Sequence, residues 1–251
     1  MITFDLTGRT ALVAGTGQNI GRGIAHCLAS QGALVAVNDL LPERAELVAN
    51  ELSEAGHKAT PVPFDVGNPD GCLAGVRQIQ ERFGGVDIQV NNAGIPADVM
   101  GLVPFRDERP DRWEPFFRVN AYGPLNLAYA VQPRMRAEGW GRIVMISSAA
   151  YFGVAIGTSI YGASKGAQTA FARSLALEEA SAGITVNTVA VGLIDREGGF
   201  GELAQTIIDS IPVGRIGVPD DVGALVTFLS SNEGGDITGQ TIQLNGGIRT
   251  S

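Results

Sequence analysis

Tyr161 and Lys165 stand four positions apart in Tyr161-Gly-Ala-Ser-Lys165. At helical spacing they share one face, one turn apart. An ammonium beside a phenol favours the phenolate, so the Tyr161 pKa is expected to fall from about 10 towards working pH. The pair would then serve as a general acid/base for a hydroxyl proton. Tyr and Lys also occur at this spacing on ordinary helices, so the assignment depends on what else the chain carries.

A second set of residues points to a nucleotide. Thr10-Ala-Leu-Val-Ala14 is a short apolar run of the kind that forms a buried parallel strand, and it ends at Gly15. Gly15-Thr-Gly-Gln-Asn-Ile-Gly21 follows, and then Ile20, Ile24, Ala25 and Leu28 recur at helical spacing. Strand, glycine-rich turn and helix in that order form a dinucleotide-binding entry. Gly15, Gln18, Asn19, Ile20 and Gly21 are the candidate contacts there, with the helix N-terminus offering free N–H groups to a pyrophosphate. The next apolar run, Leu34-Val-Ala-Val-Asn-Asp39, ends in an acid. A carboxylate at that place accepts hydrogen bonds from the adenosine ribose and repels the extra phosphate of NADP. Gln18 and Leu40, where a base could hold that phosphate, are uncharged, so NAD is the expected cofactor. Asp39 could instead cap a helix starting near Pro42.

Alternating strand and helix patterns position these residues. Helices are expected over Pro42–Ala55, from Asn68-Pro-Asp70 to Phe83, over Asp111–Glu138, Ser159–Ala180 and Asp220–Leu229. Pro124 and Pro133 should kink or break the third of these. Strands are expected at Ala59–Phe64, Val86–Val90, Gly141–Ser147, Gly183–Val191 and Thr241–Leu244. Asp65-Val66 follows one of them, at the expected adenine edge. The pattern predicts one α/β domain over residues 1–251, a doubly wound Rossmann-type parallel sheet with helices on both faces. Residues 193–212 read as a glycine-bearing lid with an amphipathic stretch, Glu202–Ile211.

Composition narrows the class. The chain has 251 residues, 45% of them hydrophobic and 18% charged, in the range of one large globular domain. A net charge of -8 argues against nucleic acid. No apolar run is long enough to span a membrane, and the first residues lack the features of a signal peptide. Cys27 and Cys72, the two cysteines, are expected as buried free thiols, which suits a reducing, cytoplasmic setting. His26 and His57 have no metal-ligand spacing, and no metal site is expected.

Together these features resemble the short-chain dehydrogenase/reductase family from about Leu6 to Gly247. The resemblance is carried by Asn91-Asn-Ala-Gly94, Asn120, Ser147-Ser148, Tyr161-Gly-Ala-Ser-Lys165, Val186-Asn187, Ile237-Thr-Gly-Gln-Thr and Asn245-Gly-Gly247. It implies a seven-stranded parallel sheet, a nicotinamide cofactor and hydride transfer to or from a secondary alcohol or ketone. By the same resemblance Tyr161 moves the substrate proton, Lys165 also holds the nicotinamide ribose, and Ser148 orients the substrate oxygen. Asn120 resembles the residue that keeps a water in a proton path to the lysine. Asn92, Ala93, Gly94, Gly192 and Ile194 become cofactor contacts, and a homotetramer built on the long helices is implied.

The chain departs from the family at Ala14 and Asn19 in the glycine turn, at Val191 after the sixth strand, and at Arg196. Asn tolerates the left-handed backbone that the turn needs. Arg196 could meet a substrate carboxylate or point to solvent. Tyr151, Phe152, Ile156, Leu193 and Phe200 suggest a largely apolar substrate body. The rival enzymatic reading is a 3-oxoacyl-carrier-protein reductase, against which the acidic charge and Asp39 both weigh, although Arg134, Arg136 and Arg142 could form a basic patch. A non-catalytic NAD sensor is the rival from another class, and retention of both Tyr161 and Lys165 argues against it.

Overall fold

The computed structural model describes residues 4–96, 101–153, 155–196, 199 and 204–250. The chain runs through β1 (Thr10–Ala14), α1 (Asn19–Ser30), β2 (Leu34–Asn38), α2 (Pro42–Glu54), β3 (Ala59–Pro61), α3 (Pro69–Phe83) and β4 (Ile88–Asn91). It continues through α4 (Trp113–Phe117), α5 (Gly123–Glu138), β5 (Gly141–Ser148), α6 (Ser159–Glu179), β6 (Ile184–Val191), α7 (Ala204–Asp209), α8 (Pro219–Ser230) and β7 (Thr241–Leu244). All pairings are parallel, in the order β3-β2-β1-β4-β5-β6-β7.

The strand order reverses between β1 and β4, and in such sheets the carboxyl ends of the strands flanking the reversal open a ligand crevice. The strands are apolar on both faces because helices cover both. Ala11 and Val13 of β1 pack with α1, α2 and α8, whereas Leu12 and Ala14 pack with α3, α5 and α6. This alternation is what a period of two produces when neither face meets water. α3 starts where Asn68 accepts from the N–H groups of Asp70 and Gly71, and ends at Gly84 with φ 82°.

Most boundaries match the sequence expectation to within a residue or two. The expected strand Ala59–Phe64 is shorter, ending at Pro61, since prolines at 61 and 63 cannot donate to a ladder. The expected Asp111–Glu138 helix is broken, but not at Pro133, which lies inside α5. The break is a π-helical turn, Arg118–Tyr122, between α4 and α5. Pro124 follows on that turn, as the second residue of α5. Cys27 is half-buried rather than buried, and burial pushes its thiol pKa up; Cys72 is buried and pushed to about 12.

Val186 and Asn187 brace the sheet rather than face a ligand. The Val186 N–H donates to Thr238 Oγ1 at 3.1 Å, Asn187 Nδ2 donates to the Ile237 carbonyl at 2.6 Å, and the Gln240 N–H donates to Asn187 Oδ1 at 3.1 Å. Among the described residues no helix is long and apolar enough to cross a membrane, and no cluster of His, Cys, Asp or Glu could hold a metal ion.

Candidate active site

The crevice at the reversal is a cleft of about 380 Å³. Gly15, Gln18, Asn19, Ile20, Asp39, Leu40, Asp65, Val66, Asn92, Ala93 and Gly94 line it, so most of the expected nucleotide contacts converge there. The turn after β1 is built to approach the loop after β4. Gly15 has φ 70°, and a Cβ on it would lie 2.6 Å from the Ala93 Cα. Asn92 Nδ2 donates to the Gly15 carbonyl at 2.7 Å and locks the two loops together. Gly21 is not in the lining. It lets α1 close on the turn, because a Cβ there would meet the Gly15 carbonyl oxygen. Asn19, at φ 47°, is the one non-glycine residue with positive φ among those described, and it keeps the turn without the expected glycine.

Asp39 is buried at 8% exposure and does two jobs. Its Oδ2 accepts from the Gly17 N–H at 3.0 Å, and its Oδ1 accepts from the Leu41 N–H at 3.1 Å, where α2 begins. At the other end Asp65 pairs with Arg118 at 2.5 Å and accepts from the Gly67 N–H at 2.8 Å.

The cleft leads to Lys165. A side chain at Gly94 would lie 3.1 Å from Asn120 Oδ1 and 3.3 Å from Lys165 Nζ, so this glycine is the shared wall between cleft and lysine. Lys165 is 5% exposed and donates from Nζ to the Ile146 carbonyl of β5 at 2.8 Å. Burial pulls its pKa down from the ordinary 10.5 to about 8. Asn120, fully buried in the π-helical turn, accepts from the Ile95 N–H at 2.8 Å and donates to the Ile95 carbonyl at 3.2 Å and Ser164 Oγ at 3.1 Å. Ser164 Oγ donates in turn to the Tyr161 carbonyl at 2.7 Å. The Asn120 side chain is thus a strap between the loop after β4 and the first turn of α6.

Tyr161 stands half-buried on that turn, with the Phe116 ring edge-on at 6.2 Å. Ser148 ends β5. Its Oγ accepts from the Ala150 N–H at 3.1 Å, which leaves the hydroxyl hydrogen to donate elsewhere.

Gly192 and Ile194 lie apart from the 380 Å³ cleft. Gly192 packs on Asn245, and Ile194 forms a bridge with Gly217 and lines a neighbouring cavity of about 640 Å³ that none of Asn120, Ser148, Tyr161 and Lys165 borders. Arg196 lines a surface recess with Asn19, Arg22, His26 and Asp220, on the α1 side. Tyr151 and Phe152 stack on each other at 4.0 Å, Ile156 is 84% exposed, and Phe200 lies outside the described residues, as do 197, 198 and 201–203 of the expected lid. Phe116, Arg118, Ser164 and Arg44, which also lines the cleft, were not legible from the sequence.

Residues 14–249 match the family model described as enoyl-(acyl carrier protein) reductase, a short-chain dehydrogenase/reductase model. The chain belongs to the short-chain dehydrogenase/reductase family. It is 37% identical over 247 residues to an acetoacetyl-CoA reductase of Shinella zoogloeoides, covering 95% of this chain and 98% of that protein. It is 35% identical over 248 residues to nodulation protein G of Azospirillum brasilense, covering 97% and 99%. Among solved structures, a gluconate 5-dehydrogenase from Burkholderia cenocepacia J2315, in complex with NADP and tartrate, superposes with a TM-score of 0.91 at 32% identity, over 98% of this chain and 97% of that one. The family's members bind a nicotinamide cofactor, and oxidoreductase chemistry on an alcohol or ketone follows for this chain.

Proposed function

We propose that this protein is an oxidoreductase that prefers NAD(H) and interconverts a secondary alcohol and its ketone, with Tyr161 as general acid/base. The observation that supports it most is the position of Gly94, in contact range of both Asn120 and Lys165 while lining the nucleotide cleft. The glycine cradle fits a dinucleotide: a side chain at Gly15 would fill the space between the two loops. When bound, the nicotinamide supplies or accepts the hydride.

The chain's own residues do the rest. Ser148 donates its hydroxyl to the substrate oxygen and orients it. Tyr161 takes the alcohol proton in oxidation and returns it in reduction. Lys165, held against β5 by the Ile146 carbonyl, places a positive charge beside that phenol and stabilises its anionic form. Asn120 keeps the loop after β4 and the start of α6 in register. Asp39 offers the remaining lone pairs of its carboxylate to the adenosine ribose, and this favours NAD(H).

Apolar side chains stand on the loops flanking the first turn of α6. Leu102, Phe105 and Ile156 are exposed, and a Cβ at Gly157 would sit within 3.0 Å of Leu102, so the two loops touch. A substrate with a largely apolar body suits this rim. Docking of an acidic carrier protein is disfavoured. Arg134 pairs with Glu138, Arg136 pairs with Glu179, and Arg142 is buried, so these arginines offer no open basic patch. A homotetramer is proposed with Tyr122, at the end of the π-helical turn, and Leu125 and Tyr129 of α5 at an interface.

The test is wild type against Tyr161→Phe with NAD and a panel of secondary alcohols, following NADH absorbance. The ring stays and the titrating hydroxyl goes. A fall of at least about a hundredfold in the variant is expected, from loss of general acid/base catalysis. Equal activity in both would exclude Tyr161 as the general acid/base. Binding of NADH without turnover of any alcohol would return the sensor reading.

A further inference from the structure

The contact of α6 with the sheet beneath Lys165 is polar, although the rest of that layer is apolar. Lys165, Gln168 and Thr169 of α6 meet Met145, Ile146 and Ser147 of β5. Lys165 Nζ donates to the Ile146 carbonyl at 2.8 Å. Ser147 Oγ donates to the Lys165 carbonyl at 3.2 Å and lies 3.1 Å from Thr169 Oγ1. Gln168 Nε2 approaches Met145 Sδ at 3.8 Å. The same sulfur accepts from Asn91 Nδ2 at 3.0 Å, and Asn91 Oδ1 accepts from Gln89 Nε2 at 3.0 Å. A buried polar seam therefore joins β4, β5 and α6. It leaves polar atoms over. Gln89 Oε1, Gln168 Oε1 and Thr188 Oγ1 are buried and, among the described residues, meet no protein partner. These atoms belong to one neighbourhood. Asn91, Met145 and Thr188 stand opposite one another in register across β4, β5 and β6. Ile88 and Val90 pack on the α1 side, which turns Gln89 and Asn91 towards α6. Met145 and Val186 pack on the α6 side, and Thr188, two residues on from Val186, faces it too. A dry amide oxygen in a core is costly, and native cores meet that cost with an ordered water held by several polar partners. Two amide oxygens and a hydroxyl around one sulfur supply such partners.

We propose that Gln89, Gln168 and Thr188 hold a buried water beside Met145, and that through it Gln168 is a positioning residue for Lys165, fixing the level of α6 on β5. The inference rests on the reading of Tyr161 and Lys165 as the acid/base pair. Gln168 stands one turn beyond Lys165 on the same face of α6. An apolar helix face slides on a sheet by small steps at little cost. Hydrogen bonds with fixed directions admit one register, and a fully satisfied buried network is stiff. The attraction between an ammonium and a phenolate changes steeply at short range. A small drift of α6 along β5 would thus weaken the hold of Lys165 on the Tyr161 proton without touching the nucleotide cleft.

The water and the positioning role are read separately. A crystal structure of the wild type is expected to show an ordered water within hydrogen-bond distance of Gln89 Oε1 and Gln168 Oε1, and a dry site there overturns the proposal. Gln168→Met and Gln89→Leu each remove one of the two oxygens at similar side-chain size, with circular dichroism to verify folding. Either change releases the same water, so the denaturant midpoint of the double variant should fall short of the sum of the two single shifts; additive shifts overturn a shared water. Ionisation of Tyr161 is then followed by ultraviolet difference titration, with Tyr161→Phe in the same background subtracted, which needs no turnover. Gln168→Met should raise the phenol pKa by about half a unit or more, the scale of an ammonium retreating by about an ångström at short range. The acidic limb of kcat for alcohol oxidation should move to higher pH by the same amount, with KM for NAD within about twofold. A residue that only packs would shift the denaturant midpoint and leave the phenol titration in place, and that result overturns the positioning role. If the wild type turns over no alcohol, the function proposed above falls instead, while the ordered water and the phenol titration still decide this inference.

Discussion

Lys165 is a buried cation held at a cost to the fold. Burial lowers its pKa to about 8, so the unfolded chain binds more protons than the folded one between that value and the ordinary 10.5. Stability therefore rises with pH across this window, and the full penalty is present below it. At pH 7 the shift corresponds to about 3 kcal/mol, at 1.36 kcal/mol per pKa unit. Lys165→Met is accordingly expected to raise the denaturant midpoint at pH 7 while abolishing turnover, and the gain should shrink towards pH 10.5. No stabilisation at pH 7 would mean that the bond to the Ile146 carbonyl outweighs desolvation. Tyr161, Lys165 and Ser148 stand out along the chain as a candidate chemical set because residue type and offset carry that signal. Arg44 does not, since its place beside Asp39 depends on how the first turn of α2 folds over Gly17.

The turn between β1 and α1 and the π-helical turn between α4 and α5 do most of the positioning. The first was legible, because a strand, a glycine-rich loop and a helix have a joint signature. Gly15→Ala tests how tightly it is set. The new methyl would meet Ala93 at a φ of 70°, so one of the two loops must shift. NADH affinity is expected to fall at least tenfold with the helix content intact, read by fluorescence titration and circular dichroism; unchanged affinity would show that the loops yield freely. The π-helical turn was not legible. Prolines suggested a break, yet Pro133 is tolerated inside α5, and the chain widens at Arg118–Tyr122 instead. What selects the wider turn is tertiary: Arg118 is drawn to Asp65 and Asn120 to Ile95 and Ser164. π-Helical turns commonly sit at functional sites for this reason, since they re-aim one side chain within a continuous helix.

At the scale of the molecule, an exposed stripe runs from the end of the π-helical turn along α5. Tyr122, Leu125 and Tyr129 are 51%, 37% and 71% exposed at a spacing that places them on one stripe. Large apolar side chains in a row are a contact surface more often than a solvated one. Light scattering is expected to give about four times the 26.2 kDa chain mass, and a single-chain mass would refute the homotetramer. The arginines that could have formed a basic patch are each engaged within the fold. Arg134 and Arg136 are neutralised by Glu138 and Glu179, and Arg142 is stacked on Trp140 with its pKa lowered to about 10 by burial. Charge counted along a sequence says nothing about which partner each charge finds.

The chain by itself determined the order of strands and helices along it and the parallel sheet, and it named the reacting groups proposed here. These follow from apolar periodicity and from short motifs whose residues lie within a few positions of one another. The tertiary structure alone decided how distant residues share one cleft: Gly94 against Asn120 and Lys165, Arg118 against Asp65, and Arg44 beside Asp39. The reason is physical. Local propensity and pattern act over one or two turns, whereas these contacts are set by the close packing of loops at the strand order's reversal, and only the folded sheet brings that packing about.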